Sequence, residues 1–261
     1  DPSKQLKTKA FLGLGDASFA QQKLVAASSA YREALRFKLP RQTNYVVRYN
    51  LAEIARRVGR FDDAAVGYKK LLYLSPHERF STLARESYVA MVKRGQARQL
   101  KFHEEMRWLE RLIRARQFAR ADALLLLLAK RVPNQRARRE HQLFEARLSL
   151  RRGEPEKALP LLLDLQRQAP TQEERYGYTV WLARAYGAQE RFEEAIDTYL
   201  NFSRDYPKNA HVREAGYKAA WLAFNGKRYR QAIRLFKYFE AQYRYGTDVE
   251  NARWFQAWCA Y

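Results

Sequence analysis

Apolar positions along this chain fall into one phrase repeated six times. An alanine stands at the centre of each copy: Ala27, Ala64, Ala121, Ala158, Ala195 and Ala232, separated by 37, 57, 37, 37 and 37 residues. Three positions before it stands Leu24, Phe61, Phe118, Pro155, Phe192 or Tyr229. Four after it comes a bulky residue (Tyr31, Tyr68, Leu125, Leu162, Tyr199, Phe236), and seven after it Ala34, Leu71, Leu128, Leu165, Phe202 or Phe239. The spacing i, i+4, i+7 draws one stripe along an α-helix. A small residue in that stripe lets a neighbouring helix cross closely, and the bulky residues fill the space beside the crossing. Turn pairs just ahead of the sets (Gly59-Arg60, Ala115-Arg116, Gly153-Glu154, Gln189-Glu190, Gly226-Lys227) separate this helix from a preceding one. Pro76, Pro133, Pro170 and Pro207, each about twelve residues after its alanine, stop the second helix; Pro40 comes slightly late, and the last copy lacks a proline.

The unit is therefore a helical hairpin. The pattern predicts pairs at 5–21 with 24–38, 44–58 with 61–74, 97–115 with 118–131, 136–152 with 155–168, 173–188 with 192–205, and 210–225 with 229–244. The surplus in the one long interval, Glu78–Arg94, carries Leu83, Ser87 and Ala90-Met91 at helical spacing and predicts one additional helix. Self-similarity at this period means stacked supersecondary units. The expected fold is all-α, a right-handed α-α superhelix of about fourteen helices forming a single solenoid over 1–261. Its repeats are 5–40, 44–76, 97–133, 136–170, 173–207 and 210–245, with the extra helix at 78–94. Glu250–Tyr261 reads as the first helix of a seventh pair whose apolar face (Trp254, Trp258, Tyr261) has no cover, which predicts a chain continuing beyond Tyr261.

Composition narrows the function. Hydrophobic residues at 47% suffice for a core, while eleven glycines and eight prolines leave little room for long loops. The formal charge of +21 favours anionic partners. It is uneven, however: residues 96–152 hold 15 Lys and Arg against 6 Asp and Glu, and 153–208 reverse to 7 against 10. That reversal argues against a simple nucleic-acid stripe, so nucleic acid is not the expected partner. Cys259 is the only cysteine, which excludes an internal disulfide without fixing the compartment. The longest apolar run, Leu124–Ala129, is far too short to span a membrane.

Three resemblances follow from particular stretches. Residues 14–35 (LGDASFAQQKLVAASSAYREAL), 51–76 and 182–207 resemble tetratricopeptide repeats, although the period of 37 exceeds the 34 usual there and the first helices at 105–112 and 142–149 match poorly. Residues 219–243 (AAWLAFNGKRYRQAIRLFKYFEAQY) followed by 251–261 (NARWFQAWCAY) resemble the U-shaped helical domain of bacterial soluble lytic transglycosylases, where it precedes the catalytic domain. The Phe-Ser-Arg-Asp-Tyr-Pro ending at Phe202–Pro207 is similar to that of periplasmic tetratricopeptide proteins of outer-membrane assembly. The transglycosylase resemblance implies a non-catalytic module in the periplasm, organising peptidoglycan or partners, with a catalytic domain following. The alternative is an envelope adaptor that binds an acidic protein or peptide and has no enzymatic domain; without the resemblances the compartment would be cytoplasmic.

Candidate chemistry is sparse. A lytic transglycosylase uses the glutamate of a Glu-Ser pair followed by Gly-Leu-Met-Gln; Glu86-Ser87 occurs here, but no such segment follows. His77, His103, His141 and His211 are scattered, and His103-Glu104 starts no H-E-x-x-H motif. No catalytic residue, metal ligand or cofactor site is expected. Binding residues are sought on the first helices, which line the concave side of a two-helix solenoid. Arg57, Arg114 and Arg151 each precede an alanine of the repeat by seven residues, and Arg147 and Arg184 share a position four residues further upstream. With Arg107 they form an expected arginine ladder for carboxylates, unless they pair with Glu53 and Glu110. Aromatic residues crowd the C-terminal third, and Trp181 and Trp221 on first helices are candidates for stacking on a ligand; the rest read as core.

Overall fold

The computed structural model describes residues 2–73 and 79–260. Among these residues there are fourteen helices and no strand, so the protein is all-α. The chain folds as two compact units, Asp1–Gln117 and Phe118–Tyr261. The first holds α1 (Pro2–Ala20), α2 (Leu24–Ala34), α3 (Arg41–Arg57), α4 (Phe61–Leu72), α5 (Arg79–Lys93) and α6 (Phe102–Arg114). The second holds α7 (Phe118–Ala129), α8 (Gln135–Arg152), α9 (Pro155–Arg167), α10 (Gln172–Ala188), α11 (Phe192–Asp205), α12 (Val212–Asn225), α13 (Tyr229–Gln242) and α14 (Thr247–Ala260).

The repeated phrase reappears as packing. Each second helix (α2, α4, α7, α9, α11, α13) begins at the residue three before its alanine. All six alanines are wholly inaccessible at 0%, and their partners four and seven residues on are buried. Close approach is visible between α3 and α4, where a Cβ added to Gly67 would lie 2.8 Å from the Ala52 Cβ. In the second unit Ala195, Tyr199, Phe202, Ala232, Phe236 and Phe239 share one core with Ala215, Ala219 and Ala223 of α12.

The turn inside each hairpin has one geometry. The residue five before the alanine takes left-handed backbone: Gln22, Gly59, Arg116, Gly153, Glu190 and Lys227, with φ between +57° and +83°. The following amide reaches five residues back, Lys23 to Ser18, Arg60 to Ala55, Gln117 to Leu112, Glu154 to Ser149, Arg191 to Tyr186 and Arg228 to Ala223, at 2.8–3.0 Å. This satisfies carbonyls that the first helix would otherwise leave open. In the last hairpin the left-handed residue is Lys227, whereas the adjacent Gly226 has φ −76°. Gly226 serves packing instead: a Cβ there would sit 2.7 Å from the Phe192 ring. We therefore expect Lys227→Gly to raise stability by about 1 kcal/mol, the cost of left-handed backbone for a side chain. Gly226→Ala should lower it by about 1–3 kcal/mol through overpacking. Urea denaturation of the two variants checks the assignment; equal effects would contradict it.

Several boundaries differ from the sequence reading. α2 ends at Ala34 rather than residue 38, because Arg36 and Phe37 bond three residues back and tighten the last turn. α3 starts at Arg41, directly after Pro40, three residues early. α6 starts at Phe102 rather than 97: the Arg98 carbonyl accepts from the Tyr88 hydroxyl (2.9 Å), and the Lys101 amide donates to Glu104 (2.8 Å), which begins the helix there. α5 confirms the additional helix and ends as the first helices do, with Gly95 left-handed and the Gln96 amide on Met91 (2.9 Å). The expected stop at Leu74-Ser75-Pro76, together with His77, Glu78 and Tyr261, lies outside the described residues.

Polar ties between residues about one repeat apart hold helices of the second unit in register. Asn209 donates to Gln172 (3.0 Å), Gln231 to Glu193 (3.0 Å), and Arg139 to Glu174 (3.2 Å). The His211 ring stacks on Tyr176 with centroids 4.1 Å apart, and its Nε2 lies 2.9 Å from Glu173. No helix among the described residues is long and apolar enough to cross a membrane.

Candidate functional site

Three of the sequence-derived candidates meet on the first helices of the second unit. α8 is started by Asn134, whose side chain accepts from the Ala137 amide (2.9 Å), and α10 by Thr171, which accepts from Glu174 (3.1 Å). These N-caps fix where each helix begins and so which residues face out. Burial of Phe144 and Leu148 in α8, and of Tyr178, Leu182 and Ala185 in α10, then turns Arg147, Trp181 and Arg184 to a common face. The Arg147 guanidinium lies over Phe144 at 4.5 Å and over Trp181 at 4.9 Å. The Arg184 guanidinium lies over the same Trp181 ring at 4.6 Å. An indole thus carries two cations from adjacent first helices.

The stack has a physical consequence. Cation–π contacts fix the planes of both guanidinium groups, and that of Arg184 is exposed. The like charges raise the local potential, and an anion would relieve their repulsion. Glu174 accepts from Arg139 and from the Tyr178 hydroxyl (3.1 Å), and burial together with Glu174 pushes Tyr178 up to about 12. Arg184 makes no ion pair among the described residues, and neither does Arg151, exposed one turn after Arg147.

The remaining candidates are placed differently. Trp221, on α12, is 42% exposed. Arg57 pairs with Glu53 (3.2 Å) and lies over Phe19; Arg114 pairs with Glu110 (2.8 Å); Arg107 lies over Tyr73 at 5.1 Å. These three belong to the first unit, so the expected ladder divides between the units. Glu86 is exposed on α5, with Ser87 held 3.2 Å from the Tyr49 hydroxyl. His141 is buried against the Leu125 carbonyl (2.9 Å). No group of three or more His, Cys, Asp and Glu side chains placed to hold a metal occurs among the described residues.

The repeat period extends the row of Arg147 and Arg184 to Trp258, which the sequence reading placed only on an uncovered apolar face. Arg147, Arg184, Trp221 and Trp258 are successive at intervals of 37 residues. They occupy one register position on α8, α10, α12 and α14, and Trp258 is 56% exposed. The row changes from guanidinium to indole along the chain. The same period that located the alanines would have found it.

Residues 180–209, from the second half of α10 through α11, match the tetratricopeptide repeat family. This suggests a scaffold or protein-binding role. No curated protein matches the chain. Among solved structures, the chain is similar to a tetratricopeptide repeat protein from Parabacteroides merdae ATCC 43184, determined at 2.39 Å. That alignment covers 98% of this chain and 100% of the other, with 14% identity and a TM-score of 0.43.

Proposed function

We propose that this chain is a non-catalytic helical-repeat binding module whose first-helix face on α8 and α10 holds a carboxylate-bearing ligand. The observation that carries this reading is the stack of Arg147 and Arg184 on Trp181. Two ligand sources supply that chemistry. The stretch at 219–261 that resembles lytic transglycosylases supports muropeptide carboxylates in the periplasm, with the chain acting beside a peptidoglycan-cleaving domain. The tetratricopeptide match at 180–209 supports an acidic tail of a protein partner and an adaptor role in the bacterial envelope.

Co-sedimentation with purified cell-wall sacculi and fluorescence titration with a short acidic peptide separate the two. The source that is bound should lose at least tenfold in affinity on Arg147→Ala with Arg184→Ala, since each charge-assisted contact is worth roughly 1.5–3 kcal/mol. Arg184 is exposed while Arg147 is half-buried, so circular dichroism of the double variant must show intact helicity before the loss is read as binding. Unchanged binding of both ligands by the double variant overturns the reading.

A further inference from the structure

A second surface lies in the first unit, on a different side of the hairpins. The second helices α2 and α4 flank a groove of 310 Å³ floored by α3. Arg32, Arg48, Arg60 and Lys70 line it with one carboxylate, Asp63, which sits 3.6 Å from Arg60. Arg48 donates to Asn44 (2.6 Å), and Arg32 and Lys70 have no ion-pair partner among the described residues. An adjoining cavity of 410 Å³ shares Ser28, Arg32 and Arg60 and is walled by Leu24, Val25, Val58 and Glu33. Val25, Val58 and Val66 are 84%, 44% and 53% exposed, so aliphatic surface and cations alternate along one trough.

The repeat itself shows that these cations are not demanded by the fold. The same groove recurs between α9 and α11 and between α11 and α13. At the three repeat positions of Arg32, Arg48 and Lys70, the first carries Leu163, Thr179 and Asn201, and the second Leu200, Gly216 and Tyr238. Both are built by equivalent helices and keep equivalent buried alanines. At these three positions neither of the other two grooves carries a cation, although Arg175 and Arg204 line the first of them, and Arg204 the second, from other positions.

We propose that this groove docks an extended acidic peptide segment in which carboxylates alternate with small aliphatic side chains. Charge complementarity selects the anion, because four cations face the trough against two carboxylates, Asp63 beside Arg60 and Glu33 paired with Arg36. The valines and the floor of Leu51, Ala52 and Ala55 take the aliphatic side chains. Single-stranded nucleic acid is disfavoured, since its binding relies on aromatic stacking platforms and no aromatic residue lines either cavity. This site is independent of the face on α8 and α10, so either can fail without the other.

Fluorescence anisotropy of a labelled peptide alternating Asp and Val tests it, beside an Asp-Ser peptide and a short single-stranded DNA. The intact protein should bind the Asp-Val peptide about tenfold more tightly than the Asp-Ser peptide. The variant Arg32→Leu, Arg48→Thr, Lys70→Asn borrows residues that the equivalent groove already accommodates, so it should fold, as circular dichroism will show. It should weaken Asp-Val binding by tenfold or more. Arg147→Ala with Arg184→Ala should leave that binding unchanged. Absence of Asp-Val binding, a triple variant that binds as well as the intact protein, or equal or tighter binding of the DNA would each overturn the proposal.

Discussion

Ala64→Leu is expected to destabilise the first unit by about 3 kcal/mol, the upper part of the range for overpacking a filled core. Ala64 is wholly inaccessible and packs with Ala52, Ala55, Tyr68 and Leu71. One turn on, even a methyl group on Gly67 would meet Ala52 at 2.8 Å, so α3 cannot recede without carrying Tyr49 and Ala52 with it. A leucine at 64 must therefore push the two helices apart. Because the whole stability of a domain is about 5–15 kcal/mol, this loss should be plain in urea or thermal denaturation. Val66→Leu, on the exposed side of the same helix, should change stability by about 0.5 kcal/mol or less. A comparable loss in both variants would mean that the alanine is not at the crossing.

Glu53→Gln should cost about as much, through polar chemistry and with a pH signature. The Glu53 carboxylate accepts from both Arg56 and Arg57 and from the Tyr68 hydroxyl (2.6 Å), and its side chain is only 12% exposed. Burial alone would raise its pKa, but the bonds from Arg56, Tyr68 and Arg57 overcome it and hold the group at about 2 against an ordinary 4.5. Removing the charge leaves Arg56 without its partner, a loss of about 3 kcal/mol. Since the folded-state pKa is depressed, the contribution is fully present above about pH 4.5 and disappears as pH falls toward 2. Denaturation of the intact protein should weaken across that window by about 2–3 kcal/mol from this group alone. The variant should show a shallower acid dependence. An identical slope in both would place the acid sensitivity elsewhere, for example on Glu104, which Lys69 and the Lys101 amide hold below its ordinary range against its own burial.

The alanine row was legible because helix crossing imposes a small residue at one phase, and phase survives in a linear sequence. The start of every second helix follows from it. The turn was legible only in position: a left-handed residue is needed five before the alanine, and Gly59 and Gly153 announce it while Arg116, Glu190 and Lys227 do not. Gly226 points to the wrong residue because two demands, turn and close packing, act on neighbours. At the candidate site, the spacing of Arg147 and Arg184 was visible, but their meeting on Trp181 was not. That contact depends on the reach of a long side chain across helices, which no spacing encodes. The groove of Arg32, Arg48 and Lys70 was invisible for a related reason: its residues come from three helices and share no period.

Fluorine NMR on protein labelled with fluorotryptophan tests the binding face most directly. The chain has five tryptophans, and Trp181→Phe identifies the resonance of Trp181. Soluble muropeptides and an acidic peptide tail are titrated separately. A ligand seated between Arg147 and Arg184 must change the environment of the indole beneath them, so the Trp181 resonance should shift with the bound fraction. Trp108, buried in the first unit, should not move. A ligand that binds the protein while the Trp181 resonance stays in place would contradict the assignment of this face.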